Sequence, residues 1–395
     1  SILKGKLPIR DFWIFTGLVV DYMGAMFISF FGNNWNSHIA HSSFMNIVAT
    51  IGLYFFLKEY NLKIFHRIFY CLSFATLCYP VTGTPFAYLH AYIFSLLSIF
   101  CLIVAIKNKN KILWFIFPIL CLLAFLSMQT PTAYILIILF TFLFFHFKKE
   151  YNFKNLSFFA LGCISSVLLF SLFIFITKTP ITNFIYQYIL FPLTIGEGRL
   201  TSQETAYISL IDQINFKRLI GEFKFIHIFL FPLTYIAIRK INFNSPNYNI
   251  LNFTIICSAL AFFFNQLITA NQIYIFSLIP ILASVFHINL INLKINYKYI
   301  YIIFIIVLFS TAKFHLRFNV DRKFHDLENV NKINAIKANK IHESFNNLKW
   351  ISKFDNPENE LIVIEKAMNV INNDQRTKSL LTHYQFISTF LDEPL

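Results

Sequence analysis

Charge is what this 395-residue sequence has least of: Lys, Arg, Asp and Glu together make up 13% of it, about half the share in a soluble domain. With 57% hydrophobic residues and a mean hydropathy of +0.60, the chain reads as an integral membrane protein. A soluble fold is thereby excluded, and so is a nucleic-acid partner in spite of the formal charge of +14. Acids are scarcest inside the apolar runs. Among residues 1–315 they are Asp11, Asp21, Glu59, Glu150, Glu197, Glu204, Asp212 and Glu222, and none sits in mid-span. Ion-coupled transporters usually keep a carboxylate there, which weighs against a transporter or flippase. Paired cysteine motifs are missing too. Cys71, Cys78, Cys101, Cys121, Cys163 and Cys257 all lie in apolar runs without metal-ligand spacing, as small buried hydrophobes do. No signal peptide heads the chain and no internal repeat is evident. A first residue of Ser and an end at "STFLDEPL" lead us to expect a fragment of a longer protein.

What is present is apolar length. Runs of the roughly 17–25 residues needed to cross a bilayer occur at 42–57, 66–82, 86–106, 112–129, 131–147, 157–177, 226–239, 249–268, 271–292 and 299–315. Helix is the default for each, because hydrocarbon cannot satisfy an open strand edge. The 51 Phe residues are taken as a bias of the source genome, so no function is drawn from them. The expected fold is an all-α polytopic membrane protein of about ten spanning helices plus interfacial helices, with the start of a small outer-face α/β soluble domain. Residues 1–41 form an outer-face loop with an interfacial helix, 42–317 the membrane domain with an outer loop at 178–225, and 318–395 the truncated soluble domain. In that tail, "VDRKFHDLENVNKINAIKANKIHESF" reads as helix-like, "NELIVIEKAMNVINND" as an amphipathic helix, and "SLLTHYQFISTFL" as a strand followed by a helix.

Loop charges orient the spans. Lys58, Lys63 and Arg67, then Lys107, Lys109 and Lys111, then Lys148, Lys149 and Lys154, then Arg239 and Lys240, then Lys294 and Lys298 all fall on one side. The alternate breaks at 82–86, 129–131 and 269–271 hold no Lys or Arg. This is the positive-inside pattern, and it places the uncharged breaks outside. The segment 13–32 is interrupted by Gly17, Asp21 and Gly24; it either spans or lies along the outer interface.

The polar stretches gather on the outer side. They are "LKGKLPIRDFWIFTG" at 3–17, "VTGTPFAYLHAYIF" at 81–94, "SMQTPTAY" at 127–134, and "YILFPLTIGEGRLTSQE" at 188–204, with "TANQIY" at 269–274 as a lesser fifth. Each has a plain reading beside a functional one. His90 is either a satisfied interhelical histidine or an acid/base group. The Thr-Pro pairs at 84–85 and 130–131 are ordinary helix starts. Gly196 and Gly198 around Glu197 make a turn. His38 and His41 sit three apart, as two metal ligands can, but no third ligand lies nearby in sequence. Asp21 can simply cap or pair with Arg10. Within 178–225, Ile185, Tyr188, Ile189 and Phe191 are expected to lie on the membrane.

The opening "G-x-x-P-x-R-D-F", the following "G…DY…A…FFG" and the later "G-T-P-F" before a span resemble the membrane glycosyltransferases of the GT-C class, in the style of dolichyl-phosphate-mannose protein mannosyltransferases and bacterial aminoarabinose transferases. The likeness covers about 1–315 and rests on the order of the pieces. It implies that residues 1–35 are the back half of a catalytic outer loop whose anchor helix and usual Asp lie upstream, and that 13–32 is interfacial. It also implies sugar transfer from a polyprenyl-phosphate lipid donor to a glycan, lipid or protein acceptor, at the outer face of a bacterial inner membrane. Asp11 and His90 are then the candidate acid/base residues. Lys6, Arg10 and Arg199 are candidate phosphate contacts, and Asp21, Tyr88 and Glu197 further substrate-binding candidates. The cofactor stays unknown, with a divalent metal ion left open. The chain departs from the family pattern after "G-T-P-F", where Ala87, Tyr88, Leu89 and His90 offer no acid. A lipid-linked polysaccharide polymerase or ligase, leaning on Arg199, Lys217 and Arg218, is the competing reading.

Overall fold

The computed structural model describes residues 2–81, 83–195, 216–239, 246–269, 273–295, 298–321, 332–346, 348–352, 356–374 and 376. Helices dominate them: α1 Leu18–Phe31, α2 Trp35–Glu59, α3 Ile64–Cys78, α4 Ala87–Asn108, α5 Lys111–Ser127, α6 Gln129–Lys149 and α7 Phe153–Thr177. There follow α8 Ile181–Ile195, α9 Lys224–Arg239, α10 Pro246–Thr269, α11 Leu278–Asn292, α12 Lys298–His315 and, in the tail, α13 Pro357–Asn373. Asparagines start several of them. The Asn110 side chain accepts from the Ile112 N–H at 2.9 Å, Asn152 from Asn155 at 3.2 Å and Asn356 from Glu358 at 3.0 Å, each satisfying an amide the helix leaves orphaned.

Seven helices are long and apolar enough to cross a membrane among the described residues, so the chain is a helical polytopic membrane protein. The other three segments expected to span form α3, α5 and α9, of 15, 17 and 16 residues. α1 has 14 residues; at about 1.5 Å of rise per residue it falls short of a hydrocarbon core about 30 Å thick.

The core is built on two helices. In α4, 94% of the apolar window is buried, and in the stretch carrying α11, 89%. α4 packs between α2, α5, α6 and α10, and α11 against α3, α9 and α12. Phe56 of α2 stacks on Phe100 of α4 with centroids 4.6 Å apart. By contrast α7 has 6% of its window buried and touches the bundle along α5, where Gly162 lets the Phe115 carbonyl come close enough that a Cβ would sit 2.4 Å from it. Small residues of this kind are how membrane helices approach one another.

The helices alternate in direction, so the loops sort to two ends. At one end the Lys107 ammonium donates to the Glu59 carbonyl and lies 4.1 Å from the Tyr60 ring centroid. Lys111 lies over Phe158, and Trp114 stacks on His146. This is the cation-rich end. The described parts of the polar stretches lie at the other.

The tail differs from its sequence reading. Within the stretch read as helix-like, Ile336–Lys337 pairs antiparallel with Lys349–Trp350, separated by single 3-10 turns. The many Asn residues there favour turns over helix interior. The amphipathic helix does form, as α13, burying Leu361 and Ile364. "SLLTHYQFISTFL" lies outside the described residues.

Candidate functional site

The opening segment is held by side chains from far along the chain. The Gln187 carboxamide of α8 accepts from the Ile14 N–H at 3.0 Å and donates to the Ile9 carbonyl at 3.2 Å. Gln129, at the start of α6, donates to the carbonyls of Phe15 and Tyr188, each at 2.7 Å. The Gly17 N–H donates to the Ser127 carbonyl at 2.8 Å; Gly17 has φ +84°, and its Cα side faces Ala87 of α4. Ile9 is a β-branched residue at φ 69°, a left-handed conformation that such residues rarely adopt. It is buried with Leu18, Leu126, Phe184 and Tyr188. The stretches 3–17 and 127–134 and the start of the 178–225 loop thus meet at one end of the bundle.

Arg10 and Asp11 belong to this network. Arg10 grips the Asp11 carboxylate through Nε at 3.0 Å and Nη2 at 2.7 Å. It also donates to the carbonyl of Thr177 at the end of α7 (2.9 Å) and to that of Gly5 (3.0 Å). The Leu7 N–H donates to Asp11 Oδ2 at 2.7 Å. Arg10 first, and then the Leu7 amide, hold the Asp11 carboxyl below the usual carboxylate range, while Asp11 raises Arg10. Both groups are occupied in shaping the loop. The geometry favours that role for Asp11 over the part of a free base, and for Arg10 over that of a free phosphate contact.

A second arrangement stands between α2 and α4. His90 is fully buried; its Nδ1 lies 3.0 Å from the Phe86 carbonyl, and its Nε2 lies 2.9 Å from His41 Nε2. A carbonyl can only accept, so Nδ1 carries the His90 proton and its Nε2 accepts from His41. That leaves His41 Nδ1 with a lone pair, and it is buried without a partner. Phe27 of α1 covers the His41 ring, stacked at 4.9 Å and 6°. Next to it the Ser42 hydroxyl donates to the Gly83 carbonyl, tying the 81–86 loop to α2.

The remaining candidates fall elsewhere. Lys6 is exposed in the opening segment, and Asp21 is exposed on α1. Tyr88 is half-buried, packed on the main core. Glu197 and Arg199 lie outside the described residues, as do the side chains of Lys217 and Arg218. Tyr188, expected on the membrane, is instead buried, its hydroxyl donating to the Leu126 carbonyl. His38 and His41 do not converge as ligands, since His41 Nε2 is engaged by His90. Among the described residues no group of three or more His, Cys, Asp or Glu could hold a metal ion. The sequence reading passed over Gln129, Gln187 and the pairing of His41 with His90. Gln129 stood within the polar stretch 127–134, two residues before Pro131; nothing local signalled the other two.

The architecture defines the class, a helical integral membrane protein. Comparisons carry the assignment no further: no family model matches the chain, and neither a curated protein nor a solved structure shows significant similarity to it.

Proposed function

We propose that the protein is a membrane glycosyltransferase moving a sugar from a polyprenyl-phosphate donor to an acceptor at the outer end of its bundle, in a bacterial inner membrane. The observation that carries the reading is the His41–His90 pair, with its open Nδ1, at the end of the bundle where the polar stretches converge. In this reading α3, α5 and α9 also cross the membrane, making about ten spans, and residues 318–395 begin a soluble outer domain.

The chemistry then runs as follows. The acceptor oxygen forms a bond to the sugar C1 as the C1–O bond to phosphate breaks, and polyprenyl phosphate leaves with the electron pair. The acceptor proton passes to His41 Nδ1. His90, oriented by the Phe86 carbonyl, stabilises the imidazolium through its Nε2, as the third member of a triad orients a base. Phe27 is the cover that must move to admit the acceptor. This moves the base from Asp11 and His90, the two residues expected from sequence, to the partner of His90.

The test is transfer from radiolabelled polyprenyl-phosphate sugars by the full-length protein and by its His41→Ala and Asp11→Asn variants. His41→Ala should lose about a hundredfold in rate, and Asp11→Asn much less. Wild-type turnover in His41→Ala would remove the histidine from the mechanism. A wild type that transfers from no such donor would overturn the function itself.

A further inference from the structure

The outer end carries a second feature that sugar transfer does not use. Lys224, which begins α9, and Lys313, near the end of α12, hold their ammonium groups 5.6 and 5.4 Å from the centroid of the same Phe225 ring. Arg317 stands four residues past Lys313, over Phe318 at 5.1 Å. Lys224 and Arg317 both repel Lys313. Among the described side chains no carboxylate lies within ion-pair distance of any of the three; Glu222, two residues before Lys224, pairs with none of them, and the side chain of Asp321, four residues past Arg317, lies outside the described ones. Three like charges gathered with no counter-charge among the described residues are unfavourable unless an anion joins them. Their place sharpens the point, because the short breaks at this end hold no Lys or Arg.

The surface beside them is apolar and open. Ile305 and Phe309 precede Lys313 at four-residue intervals on α12 and are 67% and 59% exposed, with Leu308 at 61%. Phe309 also packs on Phe225 under the two ammonium groups. A cationic cluster directly above an exposed apolar helix face matches an anionic headgroup above its own chain. Three cations suit the multiple oxygens and charge of a phosphate better than a single carboxylate.

We propose that Lys224, Lys313 and Arg317 bind the phosphate of a membrane lipid whose chain lies along the Ile305–Phe309 face of α12. The site is independent of the transferase reading, and its test reads binding rather than turnover. Full-length protein in detergent is titrated with phosphatidic acid, and with phosphatidylcholine for comparison, by native mass spectrometry. Phosphatidic acid should bind preferentially. Lys313→Gln with Arg317→Gln should weaken it about thirtyfold, and Lys224→Gln alone about fivefold. Lys148→Gln with Lys149→Gln, at the opposite end, should change it little. The proposal is overturned if the two double variants lose affinity equally, since general charge then suffices. It also falls if the Lys313 and Arg317 variant binds as wild type, or if millimolar inorganic phosphate displaces the lipid, which would make a soluble anion the ligand. Lys224→Gln, on the other helix, keeps the test decisive should the double variant fold poorly.

Discussion

Replacing Gln187 by Met is the sharpest probe of the network that holds the opening segment. The substitution keeps the length and bulk of the side chain and removes its polar end. Gln187 is 7% exposed, so water cannot freely take over its two bonds. One partner is the Ile14 N–H at 3.0 Å and the other the Ile9 carbonyl at 3.2 Å. The Asn183 side chain also donates to the Ile9 carbonyl, at 3.5 Å, so the substitution strands the Ile14 N–H, and leaving a buried backbone group unpaired costs about 1–3 kcal/mol locally. Ile9 adds to the demand, because a β-branched residue at φ 69° stays there only while its surroundings hold it. At about 1.4 kcal/mol per decade, the amides of residues 9–17 should exchange with deuterium about 5- to 150-fold faster. Amides in the centre of α4 should be unchanged. The bond after Arg10 should also become open to trypsin. If the Ile14 amide keeps its protection in Gln187→Met, the segment is held by something other than this side chain, and the argument fails.

Gly162→Ala should lower the melting temperature in detergent, at a cost of about 1–3 kcal/mol, because the new Cβ would meet the Phe115 carbonyl oxygen at 2.4 Å; an unchanged melt would show that α5 and α7 are free to separate. Asn252 and Asn289 exchange amide hydrogen bonds at 2.9 and 2.7 Å within the bundle. A double-mutant cycle to Leu should therefore show coupling of about 1 kcal/mol, and strict additivity would contradict the pairing. The depressed Asp11 carboxyl should contribute stability to the opening segment that is fully present above its unfolded value and lost as pH falls through the lower folded one. Trp13 fluorescence, isolated by difference from Trp13→Phe, should accordingly change in acid below about pH 4, and Asp11→Asn should abolish that transition.

The amino-acid sequence by itself determined the solvent this chain folds in. Run lengths and the scarcity of charge call for helices in a membrane, and the cations of alternate loops sort the ends. For the segment 13–32 the sequence left two readings open; Gly17 marks the start of α1, whereas Asp21 and Gly24, read as interruptions, fall inside the helix. Tertiary structure alone decided which helix is central. α4 and α7 are both apolar all round, yet 94% of one window is buried and 6% of the other. In water a hydrophobic face marks the core, but in lipid the outward face is equally apolar, so periodicity carries no such information. The site was hidden for a different reason. His41 and His90 stand 49 residues apart, and Gln187 and Ile14 stand 173 apart. A single buried hydrogen bond between distant residues leaves no pattern in either stretch, and only the packing of α2 on α4, and of α8 on the opening segment, brings the partners within reach.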